Sequence, residues 1–162
     1  MADYPARLEK RCKADLEGER VLAATLAHPP GSSLYSVGMR KRQSAAAAGV
    51  LGSVLKGKAG QGELEGEAAT LGKKMGVMAL TEKRLLWFAA RVGLSIGPQP
   101  TKLVRAWPHY EVAGLEFDPS GQRYPMFALS FPDGSAIPLM SEKGHKPERL
   151  YEAWQHLGLG GE

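Results

Sequence analysis

The chain has 162 residues and a formal net charge of +4; 43% of its residues are hydrophobic and only 7% are aromatic. This size suits a single domain, residues 1–162, which can bury enough surface to fold without disulfides or metals. The one cysteine, Cys12, excludes an internal disulfide. No apolar run reaches the roughly 18 residues that a membrane-spanning helix needs, and the first residues lack the apolar stretch of a secretory signal. We therefore expect a cytoplasmic protein.

Residues 3–17 predict an N-terminal helix. Asp3 is a suitable N-cap and Gly18 is a suitable stop. The apolar residues recur every four positions and form one stripe: Tyr4, Leu8, Cys12 and Leu16. Residues 19–27 are compatible with a strand or a helix, and we favour a strand because Gly18 precedes them and Pro29 follows them closely.

A long segment rich in Gly, Ala and Ser, residues 29–74, follows this first strand. Segments of this length without regular structure are uncommon in compact domains and are typically functional or disordered. Within it, residues 45–55 predict a short helix, whose apolar face is formed by Val50, Leu51, Val54 and Leu55. Basic residues lie on both sides of that helix: Arg40, Lys41, Arg42, Lys56, Lys58, Lys73 and Lys74.

The rest of the chain has a strong β pattern. Short apolar or alternating runs predict six further strands, at residues 76–80, 84–90, 102–107, 110–117, 125–131 and 135–140. We expect residues 97–100 (G-P-Q-P) to break the chain, and Asp133 and Gly134 to form the tight turn before the last strand. A helix then begins near Pro147 and ends before Gly158. Its apolar face carries Leu150, Trp154 and Leu157.

Three motifs, taken with their order and spacing, resemble those of bacterial pleckstrin-homology (PH)-like domains. Residues 80–85 (L-T-E-K-R-L) resemble the hairpin between the second and third strands of that family. Residues 107–112 (W-P-H-Y-E-V) resemble the start of its fifth strand, and residues 131–135 (F-P-D-G-S) resemble the turn between its sixth and seventh strands.

The resemblance implies a β-rich fold, in which a seven-stranded, antiparallel, partly open barrel is capped by the C-terminal helix. It covers residues 19–28 and 75–157, so that the helix at residues 3–17 and the Gly/Ala-rich insertion at residues 29–74 are additions to the family pattern. Because PH-like domains are not known for catalysis, the resemblance also implies a non-enzymatic binding module. Under the C-terminal helix we expect four side chains to meet: Trp87, Phe127, Leu129 and Trp154.

The residues themselves predict neither a catalytic centre nor a cofactor or metal site. The glycines of residues 57–62 lack the order of a phosphate-binding loop, and Cys12 has no second cysteine beside it. His109 could pair with Asp118, although a loop histidine is the simpler interpretation. Histidine occurs at four positions without metal-ligand spacing: His28, His109, His145 and His156.

Binding is the function that the basic segment favours. An anionic membrane surface would attract the seven basic side chains, and the apolar face of residues 45–55 would insert shallowly at the inner face of the membrane. The alternatives are a protein partner, self-assembly through a close helix contact at Gly49 and Ser53, and a solvated linker without a ligand. Nucleic-acid binding is not favoured, because the aromatic residues are not interleaved with the basic ones.

Overall fold

A computed structural model describes residues 3–32, 34–35, 66–92, 97–121 and 123–158. Within these ranges the α-helices are α1 (Tyr4–Arg11), α2 (Lys13–Leu16) and α3 (Glu148–His156). The strands are β1 (Val21–Ala27), β2 (Gly76–Thr81), β3 (Arg84–Val92), β4 (Pro98–Pro108), β5 (Gly114–Asp118), β6 (Met126–Ser130) and β7 (Ala136–Met140). Short 3₁₀ helices span Gly66–Leu71, His109–Glu111, Pro119–Gly121 and Lys143–His145.

The strands form two antiparallel sheets, ordered β1-β2-β3-β4 and β5-β6-β7. A β-bridge joins the sheets at one corner. There the His28 N–H donates to the Met140 carbonyl at 2.7 Å, and the Met140 N–H donates to the His28 carbonyl at 2.9 Å. The predicted β-rich architecture with a C-terminal helix is confirmed at this level.

The inner faces of both sheets share one hydrophobic core, against which α3 packs. The four side chains expected to meet, Trp87, Phe127, Leu129 and Trp154, all belong to this inner core. On α3, Leu150 and Trp154 are 0% and 1% exposed, and Leu157 packs partly buried against the same core. Gly158 has a φ of 78°, which fits its predicted role of ending the helix. The apolar stripe of α3 therefore faces inward.

The N-terminal helices cover the outer face of the first sheet and give that sheet a second core. The predicted stripe is buried against β1, β2 and β3: Tyr4, Leu8, Cys12 and Leu16. Asp3 caps α1, since its carboxylate accepts the Ala6 N–H at 3.1 Å. The single helix predicted at residues 3–17 is divided at Cys12, whose φ of −121° and ψ of 32° lie outside the helical range. Within the described residues, no helix has the length and apolar character required to cross a bilayer.

The prediction that residues 97–100 break the chain was wrong, because β4 begins at Pro98 and pairs with β3 from its first residue. The physical reason is the position of β4 at the edge of its sheet. An edge strand uses only half of its N–H groups for pairing. A proline whose nitrogen faces the open side of the sheet removes no hydrogen bond between strands, so an edge strand tolerates residues such as Pro98 and Pro100.

The prediction that residues 110–117 form one strand was also wrong in its first half. A 3₁₀ turn at His109–Glu111 precedes β5, closed by the Val112 N–H donating to the His109 carbonyl at 3.1 Å. Tyr110 is 80% exposed on this turn. The Tyr110 side chain therefore faces solvent, and the first residues of the predicted strand form a turn instead.

Candidate functional site

The structure describes only the part of the predicted basic surface that lies just before β2. Lys73 and Lys74 are exposed in the link between Gly66–Leu71 and β2, and neither forms an ion pair with another described residue. The remaining residues predicted to contact a surface or partner lie outside the described residues: Arg40, Lys41, Arg42, Lys56, Lys58, Val50, Leu51, Val54 and Leu55.

The two ends of the segment between β1 and β2 touch each other. A Cβ atom built on Gly31 would lie 2.9 Å from Cγ of Lys73. The aliphatic part of the Lys73 side chain therefore packs directly on the Gly31 backbone, which also has a φ of 100°. Any larger residue at position 31 would displace Lys73.

The beginning of this segment is fixed to the second sheet. Tyr35 is 4% exposed and packs on the outer face of β6 and β7, against Met126 and Met140. Leu34 adds a partly buried contact to the same cluster. The chain therefore leaves β1 along the outer side of the second sheet.

The end of the segment is fixed by the turn between β6 and β7. The Glu67 N–H donates to the Asp133 carboxylate at 2.8 Å, and the Ala68 N–H donates to the Ser135 hydroxyl at 3.1 Å. The side chains of Ala68 and Leu71 are buried in the inner core. Hydrogen bonds from the Ser135 hydroxyl and the Glu67 N–H lower the pKa of Asp133, so its carboxylate stays charged in this role.

The Glu67 side chain ties the same 3₁₀ helix to β4. Its carboxylate accepts a hydrogen bond from Trp107 Nε1 at 2.7 Å and another from the Arg105 guanidinium. The Trp107 and Arg105 hydrogen bonds lower the pKa of Glu67. Since Trp107 is 1% exposed in the inner core, Glu67 also satisfies a buried indole N–H.

A cleft of about 310 Å³ lies between α1, β1 and the turn before α3. We call it the α1–β1 cleft. Its apolar lining consists of Pro5, Leu22, Ala23 and Ala24, and its polar lining consists of Asp3, Tyr4, His145, Lys146 and Arg149. A register shift in β1 between Val21 and Ala23 accompanies the 37% exposure of Leu22, so an apolar side chain stands at the surface here.

Two residues of the cleft lining each carry a fully buried polar atom that has no hydrogen-bond partner among the described residues. These atoms are the Tyr4 hydroxyl and Nδ1 of His145, and the two rings lie 5.5 Å apart. Burial raises the pKa of Tyr4 to about 12, and burial lowers the pKa of His145. Both side chains are therefore neutral near pH 7, and each has an unused hydrogen-bonding atom.

Glu142 links His145 to His28 behind the cleft. Its Oε2 lies 3.4 Å from Nε2 of His28 and 3.8 Å from Nε2 of His145. The hydrogen bond with His28 lowers the pKa of Glu142 despite the partial burial of the carboxylate. Beneath this group, the hydroxyl groups of Thr25 and Ser141 share a buried hydrogen bond of 3.2 Å.

The residues considered for catalysis have structural contacts instead. His109 Nε2 lies 3.1 Å from the Thr81 carbonyl, and burial lowers the pKa of His109. Asp118 accepts the Ser120 N–H at 2.9 Å. Cys12 is 3% exposed, and burial raises the pKa of its thiol, which disfavours the reactive thiolate. In the described part of the chain, no cluster of three or more His, Cys, Asp and Glu residues could hold a metal ion.

No pattern in the sequence indicates the α1–β1 cleft. In the sequence, Tyr4 is one member of an apolar stripe, and His145 is an isolated histidine before the last helix. The two meet only because α1 packs on the first sheet beside the start of α3. The comparisons with known proteins add no family: no protein-family model matches this chain, and no curated protein matches its sequence.

Proposed function

We propose that the chain is a non-enzymatic binding module with a PH-like fold, in which the seven strands form a partly open barrel capped by α3. The order of four and three strands followed by a buried terminal helix supports this proposal. Two of the motifs behind the resemblance also have local geometry that explains their residues. The Thr81 hydroxyl accepts the N–H groups of Lys83 and Arg84 at 3.1 and 2.9 Å, and Asp133 accepts the Ser135 N–H at 2.8 Å.

The partner that the geometry favours is an anionic membrane surface. The observation that carries this proposal is the pair of exposed lysines, Lys73 and Lys74, at the point where both ends of the insertion meet. Residues 36–65, which connect the two anchored parts of the insertion in the chain, carry five more of the basic residues predicted to contact the surface: Arg40, Lys41, Arg42, Lys56 and Lys58.

The two anchors of the insertion strengthen this proposal. Tyr35 holds its beginning on the outer face of the second sheet, and Glu67 holds its end on β4. A basic segment held at both ends loses less conformational freedom on binding than a free tail of the same composition. Each basic side chain near an anionic membrane contributes about 1 kcal/mol, so that several acting together suffice for reversible binding.

Co-sedimentation with lipid vesicles tests the proposal. We expect binding to vesicles that contain phosphatidylserine, weaker binding at higher salt, and no binding to neutral phosphatidylcholine vesicles. The double variant Lys73/Lys74→Ala should weaken binding by about 2 kcal/mol, and Arg40/Lys41/Arg42→Ala should weaken it further.

The matched control is Arg20/Lys83→Ala. It removes the same charge from exposed side chains at the opposite end of the first sheet, since Lys83 follows β2 and Lys73 precedes it. Equal losses in the two double variants would mean that net charge alone drives binding and would reject the site. Binding to neither kind of vesicle, together with a mass that grows with concentration in light scattering, would favour self-assembly instead.

A further inference from the structure

We propose that the contact with an anionic membrane extends beyond the insertion to the β3–β4 pair, where Val92 enters the bilayer interface and Arg91 and Lys102 contact lipid headgroups. This inference rests on the proposed membrane contact and adds residues that lie outside the insertion. Three observations carry it: the strand register, the distribution of charge between the two ends of the first sheet, and the exposure of Val92.

The strand register brings Val92 and Arg91 to the same end of the first sheet as the exposed lysines before β2. In the ladder between β2 and β3, Gly76 pairs with Ala89. Lys74 lies two residues before Gly76. Arg91 lies two residues after Ala89, so the two cations stand beyond the same end of this antiparallel ladder. β4 begins opposite the last residue of β3, so its first residues belong to this end as well.

We call this end of the sheet the cationic end, which comprises residues 28–32, 72–75, 90–92 and 97–102. Its basic side chains are all exposed: Lys73, Lys74, Arg91 and Lys102. These ranges contain no aspartate or glutamate, and the four basic side chains form no ion pair with another described residue. Glu142 reaches this end at His28, but its carboxylate is shared between His28 and His145.

The opposite end of the same sheet has a mixed charge. Its turns carry acidic and basic residues side by side: Glu17, Glu19, Glu82 and Glu111 with Arg20, Lys83 and Arg84. Arg84 is paired there with Glu17 and Glu19. A negatively charged bilayer therefore attracts the cationic end and not the opposite end, which orients the sheet on the membrane.

Val92 supplies an apolar contact at the cationic end. It is 65% exposed at the last position of β3, beside Arg91. An apolar side chain gains free energy when it leaves water, and an anionic bilayer offers an apolar layer directly beneath its phosphate groups. An acidic protein surface would match the cations but has no such layer, so cations around a protruding valine favour the membrane.

A fluorescent label at position 92 tests the insertion directly. The single native cysteine, Cys12, is buried, so a thiol-reactive and polarity-sensitive dye labels Val92→Cys selectively. We expect a blue shift of its emission with phosphatidylserine vesicles and no change with phosphatidylcholine vesicles. The same dye on Tyr110→Cys should not respond, because that position is 80% exposed at the opposite end of the sheet.

Vesicle co-sedimentation separates the apolar contact from the charges. Val92→Ser should weaken binding about three- to tenfold at both low and high salt, because salt does not screen the burial of an apolar side chain. Val92→Leu adds one methylene and should strengthen binding about two- to fourfold. Arg91→Gln and Lys102→Gln should each weaken binding about fivefold at low salt and less at high salt. The altered side chains are exposed, so the melting temperature should not change.

Lys83→Gln and Tyr110→Ser are the matched controls at the opposite end, and neither should change binding. Equal losses in Arg91→Gln and Lys83→Gln would overturn the inference, because net charge alone would then explain binding. An affinity that is unchanged in both Val92→Ser and Val92→Leu would overturn it as well, as would a label at position 92 that does not respond.

These outcomes separate the two proposals. If the variants of the β3–β4 pair have no effect while Lys73/Lys74→Ala weakens binding, the contact proposed for the insertion stands and the extension to β3 and β4 is wrong. If the native chain binds no anionic vesicles, both proposals are wrong. Binding to polyglutamate without binding to vesicles would reject the membrane as the partner.

Discussion

Asp133, in the turn between β6 and β7, accepts a hydrogen bond of 2.8 Å from the backbone N–H of Glu67, which lies 66 residues earlier in the chain. The Glu67 side chain in turn accepts the indole N–H of Trp107 in β4. One residue of the β1–β2 segment is therefore held by both sheets, since β7 belongs to the second sheet and β4 to the first. Through this contact, the last residues of the long segment between β1 and β2 pack as part of the folded core.

Substitution of Glu67 by glutamine tests the strength of this contact. Glutamine keeps the shape of the side chain but loses the charge, so the free energy of unfolding should fall by about 1 kcal/mol. Because the pKa of Glu67 is lowered in the native state, its contribution is present above the unfolded value of 4.5 and is lost as pH falls below it. Urea denaturation at pH 7 and pH 4 measures both effects. Glu82→Gln, at an exposed position of the β2–β3 turn, should change neither the stability at pH 7 nor its dependence on pH. An equal loss of stability in Glu82→Gln would contradict the role assigned to Glu67.

Truncation of Trp154 tests the closing role of α3. Trp154 is 1% exposed in the inner core, so Trp154→Ala should reduce the free energy of unfolding by about 3–5 kcal/mol through lost burial and a residual cavity. Tyr110→Ala, which truncates an aromatic side chain that is 80% exposed, should cost less than about 0.5 kcal/mol. An unchanged melting temperature in Trp154→Ala would mean that α3 does not close the core in solution.

The elements with strong local patterns could be predicted from the sequence. The spacing of Leu150 and Trp154 defines the buried face of α3, and the alternation around Phe127 and Leu129 defines β6, because burial on one face imposes a period on the chain. Pro98 misled the prediction, since an edge strand tolerates a residue that a central strand does not. Local pattern alone carries no information about whether a strand lies at the edge of a sheet.

The site could not be predicted in the same way, because it depends on contacts between distant parts of the chain. Tyr4 and His145 come from opposite ends of the sequence, and each has an ordinary role when read alone. The Asp133 carboxylate was recognised as a turn residue, but its second role toward Glu67 requires knowledge of where the β1–β2 segment ends. Composition identifies the cluster of seven basic residues, but it does not predict where the cluster lies on the fold.

Acidic pH should destabilise the fold through two histidines. Burial lowers the pKa of both His109 and His145 in the native state, so the unfolded chain, in which histidine titrates near 6.5, binds more protons. The free energy of unfolding should therefore fall as pH decreases from about 6.5. Urea denaturation between pH 7.5 and 5 measures the slope, which His109→Asn and His145→Asn should each reduce. His156→Asn, at an exposed position of α3, should leave the slope unchanged, and a slope that is independent of both buried histidines would contradict this account.

Alkaline pH should also destabilise the fold, in this case through the Tyr4 hydroxyl and as pH rises rather than falls. Burial raises the pKa of Tyr4 to about 12, whereas tyrosine in an unfolded chain titrates near 10. Between these values the native state keeps a proton that the unfolded state has lost, so the free energy of unfolding falls as pH rises from about 10 to about 12. Tyr4→Phe removes a buried hydroxyl without a partner among the described residues, so it should raise the free energy of unfolding by about 1 kcal/mol at pH 7.

Tyr4→Phe should also abolish the share of the decrease in the free energy of unfolding at alkaline pH that is due to the Tyr4 hydroxyl. Denaturation curves at pH 7, 10 and 11.5 for the native chain and for Tyr4→Phe measure both expectations at once. Tyr110→Phe is the matched control, because its hydroxyl is solvent-exposed and its loss should alter neither the stability at pH 7 nor the alkaline slope. A loss of stability in Tyr4→Phe at pH 7 would mean that the hydroxyl is hydrogen-bonded in solution.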